Sequence, residues 1–193
     1  MNPGRDTVLR TARLSLEALA PGHLEALWEA AGGSWRELRP WLMWAVELDE
    51  SSMAAFIENA VISWEQGRDY VFAIGEGGRP VGVIGLHGVD RATSAAELGY
   101  WIATQAAGRG LMTEAGFALL DFAFRVLGLH RVELHAAPGN VASVRVAEKL
   151  GFRREGILRD GSRGEGGWHD AIVFGLLSDD PRLVQPGPKT GRT

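Results

Sequence analysis

The segment Gln105-Ala-Ala-Gly-Arg-Gly110 joins a predicted strand at residues 96–103 to a predicted helix that begins near Leu111. Its two glycines let the backbone turn sharply with its N–H groups exposed. The following helix adds unpaired N–H groups and the positive end of its dipole. Together these groups predict a binding site for a pyrophosphate. Taken alone, the segment is also compatible with an ordinary strand-to-helix turn, because it has neither the Gly-Lys-Ser/Thr of a Walker loop nor the third glycine of the dinucleotide fingerprint.

Hydrophobic periodicity on both sides of this segment predicts the order β-α-α-β-β-β-α-β-α-β-β. Consecutive strands joined by short turns exclude a doubly wound parallel sheet, so the sequence predicts a mixed α/β (α+β) fold. The strands are predicted near residues 14–18, 70–74, 80–86, 96–103, 129–136, 152–158 and 168–177, and the helices near 21–28, 52–64, 111–127 and 140–150.

Length and composition favour one globular domain. The chain has 193 residues, of which 46% are hydrophobic and 23% charged, ordinary values for a soluble protein. We expect a loose end at residues 1–7, a domain at 8–178, and a flexible Pro/Gly-rich tail at 179–193. No apolar run is long enough to cross a bilayer and no secretory pattern opens the chain, so we expect a cytoplasmic protein with no membrane partner.

The missing residue types exclude several chemistries. The chain contains no cysteine, which excludes disulfides, thiolate metal sites and an acyl-cysteine intermediate. Its net charge of −4 disfavours a nucleic-acid partner, which normally requires a basic face. His130 and His135 are five residues apart on a predicted strand and therefore point to opposite faces, so we predict no metal.

Three motifs in order make the glycine segment specific. They are Glu97-Leu-Gly-Tyr-Trp101, Gln105 to Ala115, and Asn140-Val-Ala-Ser143 followed by Glu148-Lys-Leu-Gly-Phe-Arg153. This combination resembles the GNAT acetyltransferases, and within them the RimJ/RimL type that acetylates the N-termini of ribosomal proteins. The resemblance covers roughly residues 7–178. It implies a GNAT fold with a mostly antiparallel central sheet, splayed between the fourth and fifth predicted strands and with helices on both faces.

The resemblance also implies acetyl-CoA as cosubstrate and a set of residues that bind it. The pyrophosphate would lie on the backbone of the glycine segment, the pantetheine arm along the preceding strand, and its acetyl end near Asn140, which is also a plausible helix N-cap. The implied residues are Ala107, Gly108, Arg109, Gly110, Leu111 and Met112 for the pyrophosphate, Trp101, Ile102 and Ala103 for the pantetheine arm, and Asn140.

Ser143 is the candidate for supporting the departing thiolate. Many GNAT enzymes use a tyrosine four residues later for this step, but Ala147 occupies that position here. The resemblance to the RimJ/RimL type implies that the serine takes the role. A helix serine bonded to a carbonyl one turn back is the alternative.

Glu97 is the candidate general base, because its strand borders the expected thioester. Burial in the sheet would raise its pKa toward a useful value. A glutamate paired with an arginine is the alternative. His169 and Asp170 are candidates for polar support, and Asp160 and Glu165 both remain candidates for a further acid.

Trp35, Trp41 and Trp44 predict the wall of an acceptor groove, where aromatic rings pack against apolar stems and cations. Simple packing of the first helices is the alternative.

A direct reaction requires a neutral amine, and an α-amine is about 14% neutral at pH 7 against about 0.04% for a lysine. A protein N-terminus is therefore the expected acceptor. A small-molecule amine and a non-catalytic CoA-binding sensor are the alternatives, and a homodimer is compatible with the type.

Overall fold

The computed structural model of this protein describes residues 2–181, and residues 182–193 of the predicted tail lie outside that range. The helices and strands follow one another as in the predicted order, with two additional short elements. They are β1 (Val8–Arg10), β2 (Leu14–Ala18), α1 (Leu24–Gly32), α2 (Trp35–Leu38), α3 (Glu50–Glu65), β3 (Tyr70–Glu76), β4 (Arg79–Asp90), β5 (Ala95–Ile102), α4 (Leu111–Asp121), β6 (Arg131–Ala136), α5 (Val141–Leu150), β7 (Arg153–Gly164) and β8 (Gly167–Leu177).

The eight strands form one sheet in the order β1-β2-β3-β4-β5-β6-β8-β7. All neighbouring pairs are antiparallel except β5 and β6, which are parallel. The mixed, mostly antiparallel fold predicted from the sequence is confirmed. Sequence reasoning missed β1 and α2, because three or four residues are too few to show a periodicity.

Alternation along the strands gives the sheet two buried faces. On β3, Tyr70, Phe72 and Ile74 pack in one core with α4 and α5. Val71 and Ala73 point the other way and pack in a second core with α1 and α3. Helices therefore cover both faces, as predicted.

The parallel pair β5 and β6 is joined over only three positions. Ala95 to Glu97 pair with Arg131 to Glu133, and beyond Glu97 the two strands separate. Because β1 is an additional strand, the split predicted between the fourth and fifth strands lies between β5 and β6. At this split the backbone of a central strand has no neighbouring strand on one side.

The stretch predicted as a loose N-terminus makes specific contacts. The Trp64 indole N–H donates to the Pro3 carbonyl at 2.9 Å, and Arg5 donates to the Leu19 carbonyl at 2.7 Å. Near the other end, Arg153 forms an ion pair with Asp180 at 2.7 Å. Within residues 2–181 no helix is long and apolar enough to cross a membrane.

The aromatic cluster around Trp64 predicts a large stability effect. Trp64 is 1% exposed and packs edge-on against Tyr70 and Phe72, with ring centroids 5.0 Å apart in both pairs. We expect Trp64→Ala to lower the free energy of unfolding by about 3–5 kcal/mol, because it leaves a cavity in the core. Trp168→Ala is the control: Trp168 is 62% exposed, and its loss should cost at most about 0.5 kcal/mol. Urea unfolding of both variants checks this, and equal losses would contradict it.

Candidate active site

The glycine segment forms the N-terminal end of α4. Gly108 and Gly110 have φ of +73° and +80°, and Gly110 is the N-cap of the helix. These are left-handed conformations that a side chain disfavours. A Cβ added at Gly108 would meet nothing within 4 Å. The loop therefore presents open backbone at a helix N-terminus, and this geometry fits a pyrophosphate.

A brace from the β1–β2 turn holds this loop. Arg13 donates to the Arg109 carbonyl at 3.0 Å, and Glu114 on α4 accepts from the Arg13 side chain at 2.7 Å and from Thr11 at 2.6 Å. Burial alone would raise the pKa of Glu114, but the hydrogen bonds from Thr11 and Arg13 outweigh it and lower that pKa. Sequence reasoning missed Arg13 and Glu114, which are 101 residues apart and show no local pattern.

The Arg109 side chain does not lie in front of the loop. Its guanidinium donates to both carboxylate oxygens of Glu76, at 2.8 and 2.7 Å. Only the backbone of Arg109 is therefore left for the predicted binding of a pyrophosphate, and that role stays a prediction. Leu111 and Met112, the next two predicted residues, are buried in the core below α4.

The predicted pantetheine strand borders the split. Trp101 is buried against the α3 side, while Ile102 is half-buried on the opposite face. Strand alternation directs the N–H and C=O groups of every second residue of β5 into the split. The N–H of Ala103 donates to the Val81 carbonyl of β4 at 2.8 Å, so it is not free for a ligand.

On the α4–α5 face of the split, Ser143 and Tyr100 form a hydrogen-bonded pair. Their hydroxyl oxygens are 2.9 Å apart. The Asn140 side chain caps α5 by accepting from the Ser143 backbone N–H at 3.2 Å, which fixes the serine in the first helical turn. Burial raises the pKa of Tyr100 to about 12, and the hydrogen bond with Ser143 partly opposes this rise.

Sequence reasoning missed Tyr100, although it lies in the Glu97–Trp101 motif. The available signal was strand alternation, which sends Tyr100 to the face opposite Glu97 and Trp101. Only the tertiary structure shows that Ser143, 43 residues later, meets it there.

The other face of the split carries Glu97. Its side chain is 52% exposed, so the expectation that the sheet buries it is wrong. Its partner is His135 on β6, with Glu97 Oε1 and His135 Nδ1 3.8 Å apart, rather than the arginine considered as an alternative. Glu97 pairs with Glu133 at the last joined position of β5 and β6, two residues before His135 on β6.

The three predicted tryptophans occupy different places. Trp44 packs on Trp101, with ring centroids 5.5 Å apart, and lines an apolar pocket between α3 and β5. Trp41 lies 6.2 Å from the His169 ring and beside Gly139. Trp35 stacks on the Arg39 guanidinium at 4.1 Å. Trp41 and Trp44 therefore flank the open face of the split, while Trp35 is part of a surface stack.

The β7–β8 hairpin is fastened to the loop that carries Trp41. Arg39 forms an ion pair with Glu165 at 2.8 Å, and the Glu165 N–H donates to the Arg39 carbonyl at 3.0 Å. The other candidate acid, Asp160, donates its backbone N–H to the Asp170 side chain at 3.1 Å within the hairpin. Glu165 therefore has a structural partner and Asp160 is positioned by Asp170.

Comparison with known proteins agrees with the fold and with the glycine loop at the start of α4. The family described as "Acetyltransferase (GNAT) domain" matches residues 13–153. A Bacillus subtilis (strain 168) protein named "Putative ribosomal N-acetyltransferase YdaF" is 34% identical over 168 residues, 85% of this chain and 91% of its own. The ribosomal-protein-serine acetyltransferase of Escherichia coli (strain K12) is 24% identical over 176 residues, 90% of this chain and 98% of its own.

A solved structure agrees with these sequence matches. Mycobacterium smegmatis RimJ, in complex with CoA-disulfide, superposes with a TM-score of 0.84 at 26% identity, covering 92% of this chain and 90% of that one. The glycine loop at a helix N-terminus, the split between two parallel strands and the family match over most of the sequence lead to one conclusion. This chain belongs to the GNAT acetyltransferase family.

Proposed function

We propose that this protein transfers the acetyl group of acetyl-CoA to the α-amine of a protein N-terminus. Family membership makes it an acetyl-CoA-dependent N-acetyltransferase; the proposal concerns the acceptor and the roles of the side chains. The observation that carries it is the split between β5 and β6, with a hydroxyl pair on one face and a carboxylate on the other.

The donor side rests on the loop and the strand edge. The pyrophosphate would bind the backbone N–H groups of residues 107–112, and the pantetheine arm would extend along β5 into the split. A backbone N–H at the split would polarise the thioester carbonyl. This brings the carbonyl carbon between the two faces, where an amine can attack it directly.

The departing thiolate needs a proton, and the Ser143–Tyr100 pair is suited to supply it. A phenol whose pKa is about 12 stays protonated across the neutral range. Tyr100 can therefore donate to Ser143 while Ser143 donates to sulfur. We assign Ser143 as the hydrogen-bond donor to the thiolate and Tyr100 as the donor to Ser143. Asn140 positions Ser143 through its cap, and can meet the acetyl end with its remaining polar atoms.

The open face of the split is the acceptor side. Glu97 lies there half exposed, within reach of water, so it can receive the proton lost by the amine. Trp41 and Trp44 would border the acceptor chain, and the relatives named for ribosomal-protein acetylation favour a protein N-terminus. New N-termini appear in the cytoplasm, which remains our predicted location, and a homodimer remains a prediction.

Gly108 and Gly128 provide a matched pair for testing the phosphate loop. Their φ values are +73° and +67°, and a Cβ at either would meet nothing within 4 Å. Alanine should therefore cost a similar amount, about 1–2 kcal/mol of stability, at both positions. Only Gly108→Ala places a methyl group where the pyrophosphate approaches the backbone. Calorimetry should show acetyl-CoA affinity reduced at least tenfold in Gly108→Ala and unchanged in Gly128→Ala; equal affinities would contradict the site.

The hydroxyl pair predicts a loss of turnover without a loss of donor binding. We expect Tyr100→Phe and Ser143→Ala each to lower kcat by about 10–100-fold, because the thiolate loses its proton source. Acetyl-CoA affinity should stay within about twofold of the wild type. Tyr70→Phe is the matched control, since Tyr70 is the only other tyrosine and its hydroxyl contacts Asn2 and Arg91 rather than Ser143. Unchanged kcat in both site variants would remove the pair from the mechanism.

The acceptor class is tested by release of free CoA thiol with two panels. One panel contains short peptides with free N-termini, each matched to the same peptide with a blocked N-terminus and a free lysine; the other contains polyamines, amino sugars and amino acids. We expect turnover with free N-termini and at least tenfold less with the blocked peptides. Preference for a small amine would support the alternative acceptor class. Binding of acetyl-CoA with no turnover on either panel would support a sensor.

A further inference from the structure

His135 occupies the open side of the split, two residues beyond the last position at which β6 pairs with β5. The residue opposite it on β5 is glycine, Gly99, so no side chain from that strand covers the ring. On its other edge, His135 pairs with Val173 of β8. The imidazole therefore lies on a central strand of the sheet, at the part of the split where the thioester group would bind.

Two carboxylates face the two nitrogens of this ring. His135 Nε2 is buried and lies 3.4 Å from Glu133 Oε2 without forming a hydrogen bond within the described part of the chain. His135 Nδ1 lies 3.8 Å from Oε1 of the half-exposed Glu97. Arg131 fixes Glu133 from the side, at 2.7 Å, and also binds Glu155 on β7 at 2.5 Å. His135 Nε2 therefore faces a carboxylate that Arg131 fixes, while Nδ1 faces the open side of the split.

We propose that His135 is the group that takes the proton from the acceptor amine, and that Glu97 receives this proton from it. The proposal rests on the proposed function and deepens it, because it names the proton path of the same site. A proton on Nε2 would face the Glu133 carboxylate 3.4 Å away, and the lone pair of Nδ1 is then left for the amine on the open side. A base oriented by a carboxylate is an efficient general base.

Acetyl transfer involves one new C–N bond, one broken C–S bond and two proton transfers. The amine nitrogen forms its bond to the thioester carbonyl carbon, and its N–H proton moves to His135 Nδ1. The C–S bond then breaks, its electron pair goes to sulfur, and sulfur takes a proton from the Ser143 hydroxyl, which is replaced from Tyr100. The imidazolium formed on one face lies between the carboxylates of Glu133 and Glu97, 3.4 and 3.8 Å from its nitrogens, and their negative charges stabilise it. Proton exchange with water through Glu97 and through the hydroxyl pair restores the starting state.

The charged groups around the His135 ring favour an imidazolium, because the carboxylates face the ring and the nearby cation is itself ion-paired. Glu97 faces it from β5 and Glu133 from its own strand. Arg131 is neutralised by Glu133 and Glu155. The His87 ring on β4 lies against Gly99, where a Cβ would be 3.1 Å from its Cδ2. His87 is therefore the rival base, and the test must separate it from His135.

The test measures kcat and KM of His135→Gln and His135→Ala with the best amine found for the wild type. We expect kcat to fall at least 30-fold in both, with acetyl-CoA affinity within twofold of the wild type. His130→Gln is the control for histidine loss, because the His130 ring contacts the Ser178 hydroxyl at 3.3 Å rather than the carboxylates of the split. His87→Gln should retain at least a third of wild-type kcat.

Two further readouts separate catalysis from a structural role. Free imidazole at millimolar concentration should restore at least tenfold of the lost rate in His135→Ala, and should do nothing for Tyr100→Phe. Glu133→Gln should lower kcat with little change in KM.

The outcomes distinguish this inference from the proposed function. Wild-type turnover of a peptide together with full kcat in His135→Gln overturns the relay and leaves the proposed function in place. Loss of rate confined to His87→Gln also overturns it. A wild type that prefers a small amine corrects the acceptor class, and the same variants then test the relay with that amine. A chain that acetylates no amine overturns both.

Discussion

The separation of β5 from β6 after Glu97 is the constraint on which the site depends. A central parallel pair that loses its hydrogen bonds exposes backbone N–H and C=O groups, and leaving such groups unsatisfied in a protein interior is costly. The sheet tolerates the split because β5 remains paired with β4 on one side, and β6 with β8 on the other. A ligand with its own amide groups can then supply the missing hydrogen bonds. In the proposed function the thioester binds at this split, where the backbone of β5 has no neighbouring strand beyond Glu97.

The two faces of the sheet carry different polar side chains at the split. Strand alternation sends Tyr100 to the α4–α5 side, where helix α5 brings Ser143 to it, and sends Glu97 to the open side, where β6 brings His135. Burial keeps the phenol protonated, while exposure leaves the carboxylate in contact with water. In the proposed mechanism, the donor for the leaving group and the acceptor for the amine proton therefore lie on opposite sides of one strand.

The glycine loop is held by a contact between residues that are 101 positions apart in the sequence. Its backbone conformation is permitted by Gly108 and Gly110, but the loop is held in place by Arg13 and Glu114. The four residues unite the β1–β2 turn with the start of α4. Glutamate in the first turn of α4 also suits the helix dipole. The Arg109 side chain is held by Glu76 outside the loop, which leaves the backbone N–H groups as the proposed binding surface.

Local patterns in the sequence determined the order of the long helices and strands, the mixed sheet, the glycine loop and the position of Ser143 in the first turn of α5. These features depend on periodicity, glycine conformation and capping, which act over a few residues. Short elements such as β1 were not predictable, because their strand pairing provides what their own sequence lacks. Only the tertiary structure decided that Tyr100 meets Ser143, that Glu97 is half exposed beside His135, and that Trp35 lies apart from Trp41 and Trp44. Those relations depend on which surfaces the helices cover and where two strands part, and no segment of the chain carries that information by itself.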